Sequence, residues 1–276
     1  MPLSLTRTKM KTIKGFIFQN GRLLERKFYQ FFFEDSSPES CLNALRAYQN
    51  ADGGFGNGLE PDLLTPESSP IAMETAFFYL DMLGQPDADM IQKSLIWLES
   101  QLKSDGTLPH PPKTLNEYPH QPWWSNPDTH RILSIVSYLK KWKVDSQTLY
   151  AGVKKHFDLC AVPQPLEFYD YPYYLYLKFF PRTEIKDILW KQVNVMLPDL
   201  IARHQNHYPL IGRHWYLAMD NFSKAEQQQQ VQLWIEGLQD DGGLDIVYRD
   251  LPWWRPLWTL DGLMVIKKHG LLEIPK

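Results

Sequence analysis

Thiols are scarce in this 276-residue chain: Cys41 and Cys160 are the only two, far apart and without metal-ligand spacing. A disulfide framework is therefore excluded, each cysteine is expected as a small buried hydrophobe, and a cytoplasmic setting is the expectation. No basic block stands out and the formal net charge is -3, so the electrostatic footprint of a nucleic-acid binder is missing. No window approaches eighteen uninterrupted apolar residues, which leaves no transmembrane helix to expect. The basic stretch from Met1 to Lys14 has no apolar run behind it and does not read as a signal peptide; residues 1–15 are expected as a flexible arm. Period-two alternation is absent, so almost no sheet is expected. No polar linker interrupts the chain, which predicts a single domain over 1–276.

Aromatic residues are abundant, with 10 Trp, 14 Tyr and 14 Phe. They either fill the core of a large helical fold or line a cavity, since aromatic faces suit isoprenoid chains, cations and sugar rings. Helix signals run throughout. Ser37-Pro38, Ser69-Pro70, Pro86-Asp87, Asn126 to Thr129, Asp145-Ser146 and Ser223 to Glu226 all read as starts. The run Ile71 to Leu83 is apolar on nearly all sides and predicts a helix buried inside something, whereas the helix from Pro86 to about Leu102 carries apolar residues on one side. Further helices are expected over Gln19–Phe33, Tyr169–Phe180, Arg182–His204 (one or two), Pro209–Met219 and Leu257–His269. The total is eleven to twelve.

An internal repeat organises the chain. Trp97-Leu98-Glu99, Asp105-Gly106-Thr107-Leu108, Pro122-Trp123-Trp124 and an apolar helix recur in the same order as Trp234-Ile235-Glu236, Asp241-Gly242-Gly243-Leu244, Pro252-Trp253-Trp254 and an apolar helix. Gln49 to Phe55 shares the turn, with Asp52-Gly53-Gly54-Phe55, but lacks the paired tryptophans. Glycine supplies a positive φ at the end of a helix, and the aspartate can bond backbone N–H groups in the reversal. Hairpins of this kind cannot bury their apolar faces alone and must stack.

A helix ending in Gln-x-x-Asp-Gly-Gly-Phe-Gly (Gln49 to Gly56), followed by the serine-rich start of an apolar helix at Ser68, resembles the repeat of terpenoid cyclases and protein prenyltransferase β subunits. The resemblance is clearest there, partial over 97–142 and 234–269, and weak between. It implies an all-α fold, an (α/α) toroid of inner and outer helices around a central cavity. The catalytic motifs of those families are missing: no Asp-x-Asp-Asp proton donor, no magnesium-binding Asp-Asp-x-x-Asp, and no Asp, Cys and His in the zinc-ligand context. No catalytic residue is carried over, and no cofactor or metal is expected. His204 and His207, three apart, have no acidic partner in register, and His110, His120, His130 and His214 are scattered.

Chemistry is expected in the loops that lead into inner helices. Glu60 and Asp62, with Pro61 between them, suit general acid/base work or a cation, or else cap turns. Asp245 is the third catalytic candidate. Trp123, Trp124 and Asp128 (with Asn126) form one binding candidate; Tyr169 and Asp170, with Tyr171, Tyr173 and Tyr174, form a phenol-rich second. Arg213, Trp253, Trp254 and Arg255, with Tyr248, Arg249 and Asp250, form a third, in which an Arg beside tryptophans binds an anion or else salt-bridges an acid. Three functions follow: an isoprenoid-handling enzyme; a carbohydrate-active toroid such as a hydrolase, lyase or epimerase; or a non-catalytic toroid that binds a small ligand or a protein.

Overall fold

The computed structural model describes residues 4–84, 87–245 and 250–273. Among them are eleven α-helices, five short 3₁₀ turns and no strand beyond isolated bridges: α1 (Arg7–Asn20), α2 (Leu23–Phe33), α3 (Pro38–Arg46), α4 (Pro70–Leu83), α5 (Ala88–Gln101), α6 (Arg131–Lys141), α7 (Gln147–Leu159), α8 (Tyr171–Phe179), α9 (Glu184–Arg203), α10 (Lys224–Glu236) and α11 (Trp254–Lys268). The fold is all-α. No described helix is long and apolar enough to cross a membrane. The chain divides into two compact units, Met1–Ala44 with Leu197–Lys276, and Leu45–Met196.

Local chemistry sets the helix starts. Side-chain oxygens of Ser69, Asp87 and Ser146 accept from the backbone N–H groups of Ala72, Met90 and Leu149 at 3.3, 2.8 and 3.1 Å. Ser223 and Glu226 close a reciprocal capping box on α10. Gly84 ends α4 at φ 75°. The expected start at Pro86 lies outside the described residues. Two expectations fail. The N-terminal stretch is not an arm throughout, because α1 begins at Arg7, capped by Thr6, and buries Met10, Ile13, Phe16 and Ile17 at helical spacing. No α-helix forms over 209–219; the chain turns there and closes in a 3₁₀ segment, Tyr216–Asn221, because Pro209 and Gly212 interrupt the run. Helix α9 runs through Pro198 as one piece.

Within the Leu45–Met196 unit, α4, α6 and α8 are buried nearly all round, and α5 and α7 bury one face each. Helix α4 packs on α6, α6 on α8, and α5 on α7. Along the α4–α6 seam the fully buried Phe77 meets Tyr138 and Trp142 edge-on, at 6.3 and 5.1 Å between ring centroids. Each such side chain contributes about 1.5–3 kcal/mol of burial. One end of the seam is pinned by Asp81, which accepts from Lys141 Nζ at 2.5 Å and Trp142 Nε1 at 2.9 Å. In the other unit α2 packs on α11, and α1 packs on both.

The three Asp-Gly corners are the same structure. In each, one backbone N–H reaches a carbonyl four residues on: Asn50 to Gly54, Lys103 to Thr107, Gln239 to Gly243, at 2.8, 2.9 and 2.8 Å. The glycine N–H returns to the first of those residues: Gly53 to Asn50, Gly106 to Lys103, Gly242 to Gln239. Oδ1 of Asp52, Asp105 or Asp241 accepts from the N–H two residues on, at 2.9, 3.0 and 2.9 Å. The glycines take φ 92°, 81° and 91°. Each tip presses on the backbone of a one-face helix. A Cβ on Gly53 would lie 2.2 Å from Lys93 O in α5, one on Gly106 2.2 Å from Gly152 O in α7, and one on Gly242 2.7 Å from Thr12 in α1.

A left-handed backbone costs a non-glycine residue about 1–2 kcal/mol before any clash. Gly53→Ala is therefore expected to destabilise by at least about 1–2 kcal/mol in urea unfolding. Gly15→Ala, with open space inside α1, is expected to stabilise by about 0.5–1 kcal/mol. Equal effects at the two positions would contradict the account of the corner.

Candidate functional site

Two long loops, 56–69 and 107–130, lie against each other where the chain enters α4 and α6. Leu64 N–H donates to Pro119 O and Gln121 N–H to Asp62 O, both at 3.0 Å, and Leu63 bridges to His120. Beneath them Leu63, Ile71, Leu115 and Trp124 form an apolar cluster. A 3₁₀ turn, Pro122–Ser125, separates the tryptophan pair. Trp124 is buried and its Nε1–H donates to Asp62 Oδ1 at 2.8 Å; Trp123 keeps 40% of its surface in solvent. Glu60 is buried too and accepts from the Thr75 hydroxyl at 2.8 Å. Both candidate acids thus sit in the floor under the loops, each holding a side chain.

A buried polar group joins the N-terminal halves of α4, α6 and α8. Glu74 stands out in the apolar α4 and is buried. Its Oε2 accepts from the Tyr171 hydroxyl at 2.6 Å and from Arg131 Nη1; its Oε1 accepts from the Ser134 hydroxyl. Arg131 Nη1 also donates to Tyr171 Oη at 2.8 Å, and its Nε donates to Asp128 Oδ2 at 2.5 Å. Two carboxyl groups share one guanidinium. Burial alone would raise Asp128, but the charge and hydrogen bonds of Arg131 outweigh it and hold the carboxyl below its ordinary range. Burial, with Glu74 beside it, keeps the Tyr171 phenol protonated far above its usual range, although Arg131 opposes this.

His110 lies beside this group, 6.0 Å from Trp124 between ring centroids. Neither ring nitrogen has a well-formed hydrogen bond, although the Trp124 backbone is near enough to favour the charged ring. Burial dominates and lowers its pKa, against the pull of Asp128. Farther along, Tyr169 is 54% exposed and Asp170 accepts from Glu167 N–H at 2.7 Å, its carboxyl raised by burial.

The remaining candidates belong to the other unit. Arg255 grips Asp241 of its own corner, Nη2 to Oδ1 at 2.8 Å and Nη1 to Oδ2 at 2.9 Å, and lies over the Phe16 ring. Arg213 donates through Nε to Asp261 Oδ2 at 2.7 Å, both buried, with the guanidinium 5.6 Å over Trp254. Burial raises Asp261 despite Arg213. Trp253 is exposed and Trp254 buried. Asp245 is exposed, its backbone N–H on Gly237 O at 2.9 Å. Tyr248 and Arg249 lie outside the described residues. His204 and His207 do come together, with ring centroids 5.7 Å apart.

Tyr171 belongs to the phenol-rich candidate of the sequence, whereas Glu74, Arg131 and Ser134 are absent from the sequence-derived candidates. Their signal is a glutamate inside an all-round apolar helix, which must find a cation or donors to be buried at all. Comparison of the chain with protein-family models, with curated proteins and with solved structures finds no match in any of the three.

Arg131→Met leaves two carboxyl groups without their cation, and a loss of about 3–5 kcal/mol is expected in urea unfolding. The pH dependence has two parts. Asp128 is depressed in the fold, so its share of stability is full above the unfolded value near 3.9 and lost as pH falls through the folded value. His110 is also depressed, so the unfolded chain takes the proton first and stability declines as pH falls below about 6.5. His130, His156 and His207 are lowered by burial as well and share that limb, so His110→Phe is expected to make it shallower without removing it, while leaving the lower one. The midpoint of urea unfolding between pH 7 and 3, measured for both chains, checks the assignment.

Proposed function

We propose that the chain is an (α/α) toroid of the terpenoid-cyclase and prenyltransferase type that handles an isoprenoid substrate in the cytoplasm. The observation that carries the architectural part is the identity of the three corners, each pressed on the backbone of a further one-face helix. Within the Leu45–Met196 unit Gly53 meets α5, and Gly106, which follows α5, meets α7, the contact expected between successive outer helices; within the other unit Gly242, which follows α10, meets α1. The nearly all-round buried α4, α6 and α8 of the Leu45–Met196 unit are assigned as inner helices, and so is α11 of the other unit.

The chemical part rests on the Glu74–Asp128–Arg131–Tyr171 group. The buried Glu74 carboxyl and the half-buried Asp128 carboxyl, with one cation between them, favour positive charge nearby, and isoprenoid reactions pass through carbocations. Trp123 and Tyr169 offer exposed ring faces on the same unit for an apolar chain or a cation. Glu60 and Asp62 serve this site as supports for Thr75 and Trp124. The third residue first considered for catalysis, Asp245, and the tryptophan–arginine set of the other unit have no part in it.

Native mass spectrometry of the purified protein is expected to show a co-purified lipid, and a panel of prenyl diphosphates is expected to include a substrate. Glu74→Gln is expected to lower turnover roughly a hundred-fold, the scale for losing one electrostatic group in a site. Trp123→Ala, at an exposed position with little bearing on folding, is expected to raise KM with kcat little changed. A retained glycan in place of a lipid would move the assignment to carbohydrate chemistry. Absence of both a retained lipid and any prenyl diphosphate turnover would defeat it.

A further inference from the structure

Three soft donors meet where the end of α7 approaches the start of α6. His130 immediately precedes α6, His156 lies in the last turn of α7, and Cys160 caps that helix. Cys160 Sγ is 3.5 Å from His156 Nε2 and 3.9 Å from His130 Nδ1, and all three donor atoms fall within 4.8 Å of one another. The cysteine is a free thiol. A tetrahedral zinc ion with ordinary Zn–S and Zn–N bonds puts sulfur about 3.6 Å from each nitrogen and the nitrogens about 3.3 Å apart. The Cys160–His156 edge matches in length, but Sγ is also 3.9 Å from His156 Nδ1, so that ring must turn to aim one nitrogen at the ion; the second edge needs a few tenths of an ångström, and the third closes by no more than about 1.5 Å.

Burial lowers the pKa of both rings, that of His130 also through the neighbouring His156, while Asp128 pulls the other way on His130 and Asp105 on His156. His130 Nε2, the nitrogen turned away from the sulfur, lies 3.3 Å from Thr129 Oγ1, the kind of outer partner that orients a ligating imidazole. Tyr173 packs on the same ring at 4.7 Å between centroids. His130 and Cys160 both keep part of their surface in solvent, which leaves an entry path and a fourth position for water.

The repeat supplies an independent reason. Each corner glycine clasps the backbone of a one-face helix, at Lys93, Gly152 and Thr12; four residues on stand Trp97, His156 and Phe16. Two of the three corners use an apolar aromatic ring at that position. The scaffold does not require an imidazole there.

We propose that His130, His156 and Cys160 bind one Zn2+ ion, with water as the fourth ligand. Binding releases the Cys160 proton to solvent, since the thiolate is the ligand. The set has two histidines and a cysteine and no aspartate. It therefore differs from the Asp, Cys and His zinc ligands of prenyltransferase β subunits, and it stands whether or not the isoprenoid assignment holds.

The test uses the full chain, reduced with a phosphine and stripped with a chelator. Zn2+ is expected to bind at one ion per chain by calorimetry, releasing a proton and raising the thermal midpoint, whereas the oxygen-seeking Mg2+ and Ca2+ do not. Co2+ is expected to give a tetrahedral visible spectrum with a sulfur-to-cobalt charge-transfer band, displaced by Zn2+. Cys160→Ser removes that band, and Cys160→Ser and His130→Ala each weaken Zn2+ binding by more than about ten-fold. Cys41→Ser, at the other thiol, leaves binding and band unchanged. Far-ultraviolet dichroism of the chelated variants separates lost ligands from lost structure, and Thr129→Val, which keeps all three ligands, weakens binding without removing the band. Absence of stoichiometric uptake by the folded chain, or a charge-transfer band that survives Cys160→Ser, overturns the proposal.

Discussion

The contact on which the hairpins depend is the approach of a corner glycine to the backbone of a further helix. It is a steric constraint before it is an attraction. With a Cβ at Gly53 or Gly106 the chain would have to enter a carbonyl oxygen at 2.2 Å, so a whole helix would move to admit one methyl group. The same residue must hold φ near 90°, which other residues resist. Aspartate completes the reversal by satisfying the N–H that the turn would leave open. Once these conditions are met, the direction in which the next segment leaves is set, and a buried helix can follow the corner.

Burying α4 brings Glu74 and Asp81 into the interior with its apolar residues. Each is compensated from α6, Glu74 by Arg131 and Ser134, Asp81 by Lys141 and Trp142. Pairs of this kind add little net stability against an apolar alternative, but losing one member is costly. Their effect is to set the register of α4 against α6: a shift by one turn would separate both pairs at once and leave charges buried alone. The alignment also places Tyr171 of α8 on Glu74, so one carboxylate ties α4 to the first turns of α6 and α8.

Much of this was legible in the residues. The caps at Ser69, Ser146 and Ser223, the glycine stop at Gly84 and the apolar circumference of α4 are local signals, and the helices follow them. Asp52, Asp105 and Asp241 were expected to serve the turns, and their hydrogen bonds do so. Helix α1 was missed because the stretch up to Lys14 looks basic and polar, and only Met10 and Ile13 betray an inner face there before Phe16 and Ile17 complete it. Partner choice was the harder problem. Arg255 could have faced an anionic ligand or an acid of the chain, and composition cannot choose between them; in the structure it takes Asp241. Glu74 finds Arg131 and Tyr171 across 57 and 97 residues, a separation that no periodicity encodes.

The cysteine–histidine group shows why scaffold and chemistry separate in a repeat fold. A repeated corner makes the same demands each time, so residues that meet those demands recur, and recurrence marks them as structural. Chemistry has to be sought where one copy departs from the others without a packing reason. His156 is such a departure, standing where Trp97 and Phe16 stand at the other corners. An imidazole there buries less apolar surface than indole or phenyl and brings nitrogens that need partners. Cys160, one helical turn on, lies against those nitrogens, and His130, just before α6, stacks on the ring. The spacing of His156 and Cys160 is that of two ligands on one helix face, and it is visible in the sequence. What the sequence could not show is that the loop ending at Thr129 delivers His130 to the same point.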